Sequence, residues 1–152
     1  MNMIRKIIVL TIYFFLSAVL IFAQNVDAEK DAVKKVIQTA YIDGLHNKGD
    51  LNEIQKGFHP GFVLLGVRDN SLTQLPVYTW IESFTKRKND DPSPLKPEQT
   101  MICEFLQIDI TGNAAMAKIN LKKNDVLIFT DYLLLYKFEE GWRIVSKTFY
   151  RY

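Results

Sequence analysis

Val126-Leu-Ile-Phe-Thr-Asp-Tyr-Leu-Leu-Leu-Tyr-Lys-Phe138, Glu139-Glu-Gly141 and Trp142-Arg-Ile-Val-Ser-Lys-Thr-Phe-Tyr150 form the stretch that decides the fold. Two β-rich runs flank a three-residue separator with turn chemistry, too short for a crossover helix, so they read as an antiparallel hairpin. The same pattern extends toward the N-terminus. Thr100–Ile110 and Ala114–Leu121 are further strand-like runs, separated by Thr-Gly-Asn and Lys-Lys-Asn-Asp. Four strands with short turns imply an antiparallel meander.

Upstream of the strands the periodicity changes. Val33, Val36, Ile37, Ala40, Tyr41 and Gly44 recur at helical spacing between Asp27 and Leu45, with acids early in the segment. Asp50-Leu-Asn-Glu53 reads as a variant capping box opening a short second helix through Ile54 and Phe58, which His59-Pro60-Gly61 is expected to stop. Phe62–Val67 reads as a strand turning at Asp69-Asn70. Pro76 opens a third helix with Val77, Trp80, Ile81 and Phe84 on one face. Residues 89–98 are polar and proline-rich, a surface loop. The fold class is α+β, with the helices on one face of the sheet.

The first residues carry Arg5 and Lys6 and then an apolar run from Ile7 to Ala23. A basic start followed by such a run is read by the export machinery, and the small Ala23 places the expected cleavage before Gln24. Residues 1–23 are therefore expected to be a signal peptide and residues 24–152 one domain, exported to the periplasm or outside. With no cysteine near the junction, a lipid anchor has no attachment point. After cleavage no membrane association is expected.

Cleavage also changes the charge. The whole chain holds 19 basic and 17 acidic side chains; removing Arg5 and Lys6 leaves 17 against 17. A formally neutral domain offers no general case for nucleic-acid binding, which needs basic surface to displace counterions. Lys86-Arg87-Lys88 is followed by Asp90 and Asp91 and reads as a solvated helix end. Cys103 is the only cysteine, so no internal disulfide exists, and its alternation with Met101 and Phe105 reads as a small buried hydrophobe. His46 and His59 are the only histidines. With one cysteine they give no zinc-ligand spacing, and no phosphate loop or nucleotide fingerprint is present, so no cofactor is expected. His59, before Pro60, reads as a capping or packing residue; His46, in the polar run His46-Asn-Lys-Gly-Asp50, is expected at the surface.

The order of elements resembles the nuclear transport factor 2-like superfamily. Asp43-Gly44, Gly49-Asp50, Phe58-His59-Pro60, Ala115-Met-Ala-Lys118, Phe129-Thr-Asp-Tyr-Leu-Leu-Leu135 and Gly141-Trp-Arg-Ile-Val-Ser-Lys-Thr-Phe149 together resemble its lumazine-binding-like branch. The resemblance spans about residues 30–150. It implies a cone: a curved sheet wrapped against three helices around an apolar cavity, often dimeric. The fold hosts isomerases, dehydratases, cyclases, transport factors and binding modules, and so leaves function open.

Hairpin pairing through Glu139-Glu140-Gly141 sets Phe138 opposite Trp142, Leu133 opposite Lys147 and Asp131 opposite Phe149. Asp131 and Lys147 then share a face, and an even offset through the next turn brings Lys118 to them. Such charges form an ion pair more often than a site; as a site they would fix an anionic or carbonyl-bearing ligand. Tyr132, Leu134, Tyr136, Trp142, Ile144, Ser146 and Thr148 are expected on the other face. Tyr41, Phe58, Trp80 and Phe84 are helix-side aromatics able to close over the sheet. The candidate ligand-binding set is Tyr41, Phe58, Trp80, Phe84, Lys118, Asp131, Tyr132 and Lys147. Both sheet faces are apolar, which implies that helices cover one and a second copy the other, a homodimer. The first functional reading is a non-catalytic domain binding a small apolar or aromatic molecule. The alternative is a cofactor-independent enzyme of the ketosteroid-isomerase or polyketide-cyclase kind, in which Asp131 or His59 moves a proton and Tyr41 or Tyr132 holds an oxyanion. A third is a protein-interaction domain with a large exposed apolar patch.

Overall fold

The structure is a computed structural model and describes residues 26–152. The expected leader at residues 1–23 lies outside the described residues. Helix α1 is α-helical over residues 26–36 and continues as a π-helix over Ile37–His46. Helix α2 spans Leu51–Gly57, strand β1 Phe58–Arg68, β2 Ser71–Pro76 and helix α3 Val77–Asp90. A single 3-10 turn, Pro97–Gln99, precedes β3 (Met101–Thr111), β4 (Ala114–Lys123), β5 (Val126–Phe138) and β6 (Gly141–Arg151).

The strands form one curved sheet in the order β2-β1-β6-β5-β4-β3. The expected meander from β3 to β6 is present, and the sheet becomes mixed where β1 joins β6 in parallel. Strand β2 was not legible in the sequence: Ser71–Pro76 is an edge strand exposed over its first four residues, with no alternation to reveal it. The fold is α+β, with the sheet wrapped around the helices.

Local chemistry explains the helix ends. Asp50 caps α2 by accepting from the Asn52 backbone N–H at 2.8 Å. Glu53 does not complete a capping box; it pairs with Lys56 at 2.8 Å. Helix α2 ends at Gly57, before the expected proline stop. A Cβ at Gly57 would overlap that of Ala40, and one at Gly44 would lie 2.7 Å from Ile54 Cγ1, so glycine lets α1 and α2 touch. His59-Pro60-Gly61 lies inside β1 as an irregular stretch between the Phe58–Ile144 and Val63–Ser146 pairs. Pro76 is the N-cap of α3, as its fixed φ suits.

The core lies between α1 and one sheet face. Val33, Ile37, Ala40, Tyr41 and Leu45 meet Ala117, Ile119, Leu121, Leu133, Leu135 and Ile144. At about 1.5–3 kcal/mol for each large apolar side chain removed from water, this interface dominates the fold's stability. Helix α3 is held more lightly, with only Val77 and Phe84 buried.

Three bulges set which residues share a face. Val145 is the extra residue in β6, Ile128 in β5 and Leu106 in β3. At the last turn Phe138 pairs with Gly141, one residue from the expected Trp142; past Val145 the pairing becomes Leu133–Lys147 and Asp131–Phe149 as expected. The same bulge puts buried Trp142 and Ile144 on the helix side, while Ser146 and Thr148 stay on the other face with Leu134 and Tyr132.

Candidate functional site

Asp131, on β5, is fully buried, and so is Tyr41, on the π segment of α1; Lys147, on β6, is 5% exposed. Tyr41 Oη donates to Asp131 Oδ2 at 2.5 Å. Lys147 Nζ donates to Tyr41 Oη at 2.7 Å and to Asp131 Oδ2 at 2.9 Å. The three side chains close a triangle on one carboxylate oxygen. Asp131 Oδ1 is buried and has no hydrogen-bond partner among the described residues. A buried carboxylate oxygen normally finds a donor, so this one carries hydrogen-bonding capacity that the fold leaves unused.

Aromatic rings enclose the ammonium. Lys147 Nζ lies 4.9 Å from the Phe149 ring centre, 5.0 Å from Tyr41, 5.6 Å from Trp80 and 5.9 Å from Phe129. Ring faces partly replace the water the ammonium has lost. Burial pulls the Lys147 pKa below the usual lysine value, while the adjacent Asp131 opposes that fall. Burial and the Asp131 charge push the Tyr41 phenol well above its ordinary range, so its proton stays in place.

Trp80, from α3, packs edge-on to Tyr41 and Phe58 and stacks on Phe62. Phe58 meets Tyr41 at 6.1 Å. Of the expected set, Tyr41, Phe58, Trp80, Asp131 and Lys147 therefore come together. Phe84 is buried nearby and lines an opening described below. Lys118 and Tyr132 do not join them. Near the β4–β5 turn Lys123 pairs with Val126, a register that would carry Lys118 opposite Asp131. The extra residue Ile128 shifts it, so Ile119 faces Asp131 and Lys118 pairs with Tyr132 on the outer face. There Lys118 Nζ lies 5.4 Å from the ring of half-exposed Tyr132.

His46 is not the surface residue the sequence suggested. Its ring packs edge-on to Tyr41 at 4.7 Å and to Trp80 at 6.4 Å, and Nε2 is covered and without a partner. In an α-helix His46 would stand about 140° from Tyr41, at roughly 100° per residue. The i→i+5 winding of the π segment carries it back over Tyr41. Burial, with Lys147 and Arg87 nearby, lowers the His46 pKa to about 3. His59 instead stacks on Phe138 at 4.8 Å and accepts from the Gly61 N–H at 3.0 Å. Phe138 lies seven residues along β5 from Asp131, about 23 Å at ~3.3 Å per residue.

Met101, Lys123, Phe129 and Arg151 stand at one end of the sheet, termed the wide end, and the Phe138–Gly141 turn at the other, termed the narrow end. On the wide side, Leu45, His46, Phe84 and Met101 line an opening of about 250 Å³ rimmed by Lys48, Arg87 and Lys123. Cys103, the next inward residue along β3, is half-buried, its thiol pushed up to about 12 by burial and by Asp131. Such a thiol is inert. Among the described residues no three His, Cys, Asp or Glu side chains are placed to share a metal ion.

A family model described as "Putative lumazine-binding" matches residues 28–150. No curated protein matches the sequence. Among solved structures, a nuclear transport factor 2-like protein of unknown function from Shewanella baltica OS155 is 28% identical, with a TM-score of 0.65 over 82% of this chain and 94% of its own. A similar protein of unknown function from Silicibacter pomeroyi DSS-3 is 17% identical, with a TM-score of 0.66 over 84% and 98%. One from Methylobacillus flagellatus KT is 23% identical, with a TM-score of 0.58 over 82% and 93%.

Proposed function

The chain belongs to the lumazine-binding-like family of the nuclear transport factor 2-like fold, and from that premise we propose that it is an exported domain that binds a small, largely apolar or aromatic molecule at the wide end of the cone, without catalysis. The observation that carries this reading is the unused oxygen of a buried carboxylate. Asp131 Oδ1 is buried and has no donor, while its other oxygen holds Lys147, whose ammonium lies against the rings of Tyr41, Trp80, Phe129 and Phe149. A ligand with one N–H or O–H group and a flat apolar body satisfies both features.

Lys147 argues against proton transfer. A general base needs a carboxylate free to take a proton near working pH, and here an ammonium 2.9 Å away and the Tyr41 hydroxyl occupy the other oxygen. The lightly anchored α3 is the wall that yields when a ligand enters. The outer face, with Tyr132, Leu134 and Tyr136 between 43% and 50% exposed, is the surface a second copy covers in a homodimer.

Native mass spectrometry of the purified protein, before and after denaturing extraction, tests the reading. A small molecule released on unfolding, and lost from the Asp131→Asn variant, is the expected result. A ligand retained equally by that variant overturns the assigned seat. The same spectrum tests export: a mass lacking residues 1–23 is expected, and a mass retaining them contradicts cleavage.

A further inference from the structure

The opening of about 250 Å³ at the wide end combines features that the apolar reading leaves unused. His46 Nε2 is buried without a partner on its wall. Its rim holds Lys48, Arg87 and Lys123 and no carboxylate. Lys48 is committed to Asp91 at 2.8 Å, whereas Arg87 and Lys123 form no ion pair among the described residues.

Three other concavities lack this combination: the one of about 340 Å³ at β1, β2 and Phe149 holds Arg68 but no buried unpartnered polar atom. The one of about 460 Å³ at the narrow end is built around Glu29, whose two oxygens are taken by Lys137 at 2.6 Å and Trp142 at 2.7 Å. The one between α2, β1 and α3 is lined by Phe58, Pro60, Val77, Tyr78 and Ile81 with Gln55 and the Tyr78 hydroxyl as its polar groups, and has no charge to set an orientation.

Resting on the binding reading above, we propose that this opening takes the carboxylate of a small ring-bearing acid, with Arg87 and Lys123, the two cations of its rim that form no ion pair among the described residues, supplying the charge. Phe84 and Met101 flank the ring of the acid, and the guanidinium matches a planar carboxylate better than an ammonium does.

The test uses isotope-labelled full-length chain and two probes of one shape, benzoate and neutral benzamide, each titrated at about 1 mM, a fragment-sized affinity range. Benzoate is expected to shift the His46 ring, Phe84 and Met101 signals, and to bind at least about tenfold more tightly than benzamide. Exchanging both exposed cations (Arg87→Gln with Lys123→Gln) should remove that difference without unfolding the protein. Equal shifts from both probes at Trp80 would overturn the anion site while leaving small-molecule binding intact. Silence from both probes across the wide end would overturn both.

Discussion

The two ends of the sheet treat a buried or half-buried acid in opposite ways. At the narrow end both Glu29 oxygens are taken, by Lys137 and by the Trp142 indole N–H, and this bonding holds the carboxyl below its usual range. At the wide end Asp131 uses one oxygen twice, for Tyr41 and Lys147, and leaves the other bare, and His46 Nε2 likewise has no partner. The first arrangement is complete and ties the start of α1 to the β5–β6 turn. The second leaves hydrogen-bonding capacity that a folded chain rarely leaves unused without a functional reason. Completeness separates a structural ion pair from a binding site more reliably than charge does.

Substitutions at the two ends should differ in kind. The largest effect belongs to Lys147→Met, which strands the Asp131 carboxylate in the core. A loss of about 3–5 kcal/mol in urea unfolding is expected. Removing both charges, with Asp131→Leu added, should recover most of it, because an apolar pair of similar volume needs no desolvation. If the single variant is as stable as the parent, the buried pair described here does not exist in solution.

An intermediate effect comes from His46. Unfolded, it takes a proton near 6.5; folded, only near 3. Between these values the unfolded state holds more protons, so its contribution to stability is full above pH 6.5 and is lost as pH falls toward 3. Relative to His46→Leu, the parent should lose about 2 kcal/mol between pH 6.5 and pH 5. Parallel pH–stability curves for the two proteins would place His46 at the surface. The smallest effect is expected at the narrow end. Glu29→Gln removes a partly exposed pair and should cost at most about 1 kcal/mol, with no change in ligand affinity.

The sequence carried the four-strand meander, the helical face of α1 and the Asp131–Lys147 pairing, because each rests on a regular period. What it could not carry came from breaks in period. Ile128 is one extra residue in β5 and sends Lys118 to the outer face. Val145 divides β6 so that Trp142 and Ser146, both even-numbered, face opposite sides. Nothing in Ile37–His46 announces π winding, and without it His46 is assigned to solvent. Tyr41 was visible as a core aromatic, but its bond to Asp131, ninety residues away, needed the folded chain.

The chain's two tryptophans sit one at each end, Trp80 against Tyr41 and His46, Trp142 bonded to Glu29. Their two indole N–H signals in a ¹⁵N-correlated NMR spectrum therefore report which end is occupied. The most direct measurement is that spectrum with and without the small molecule extracted from the native protein. Movement of the Trp80 signal with the Trp142 signal unchanged is the predicted result. Movement of Trp142 alone would contradict binding at the wide end.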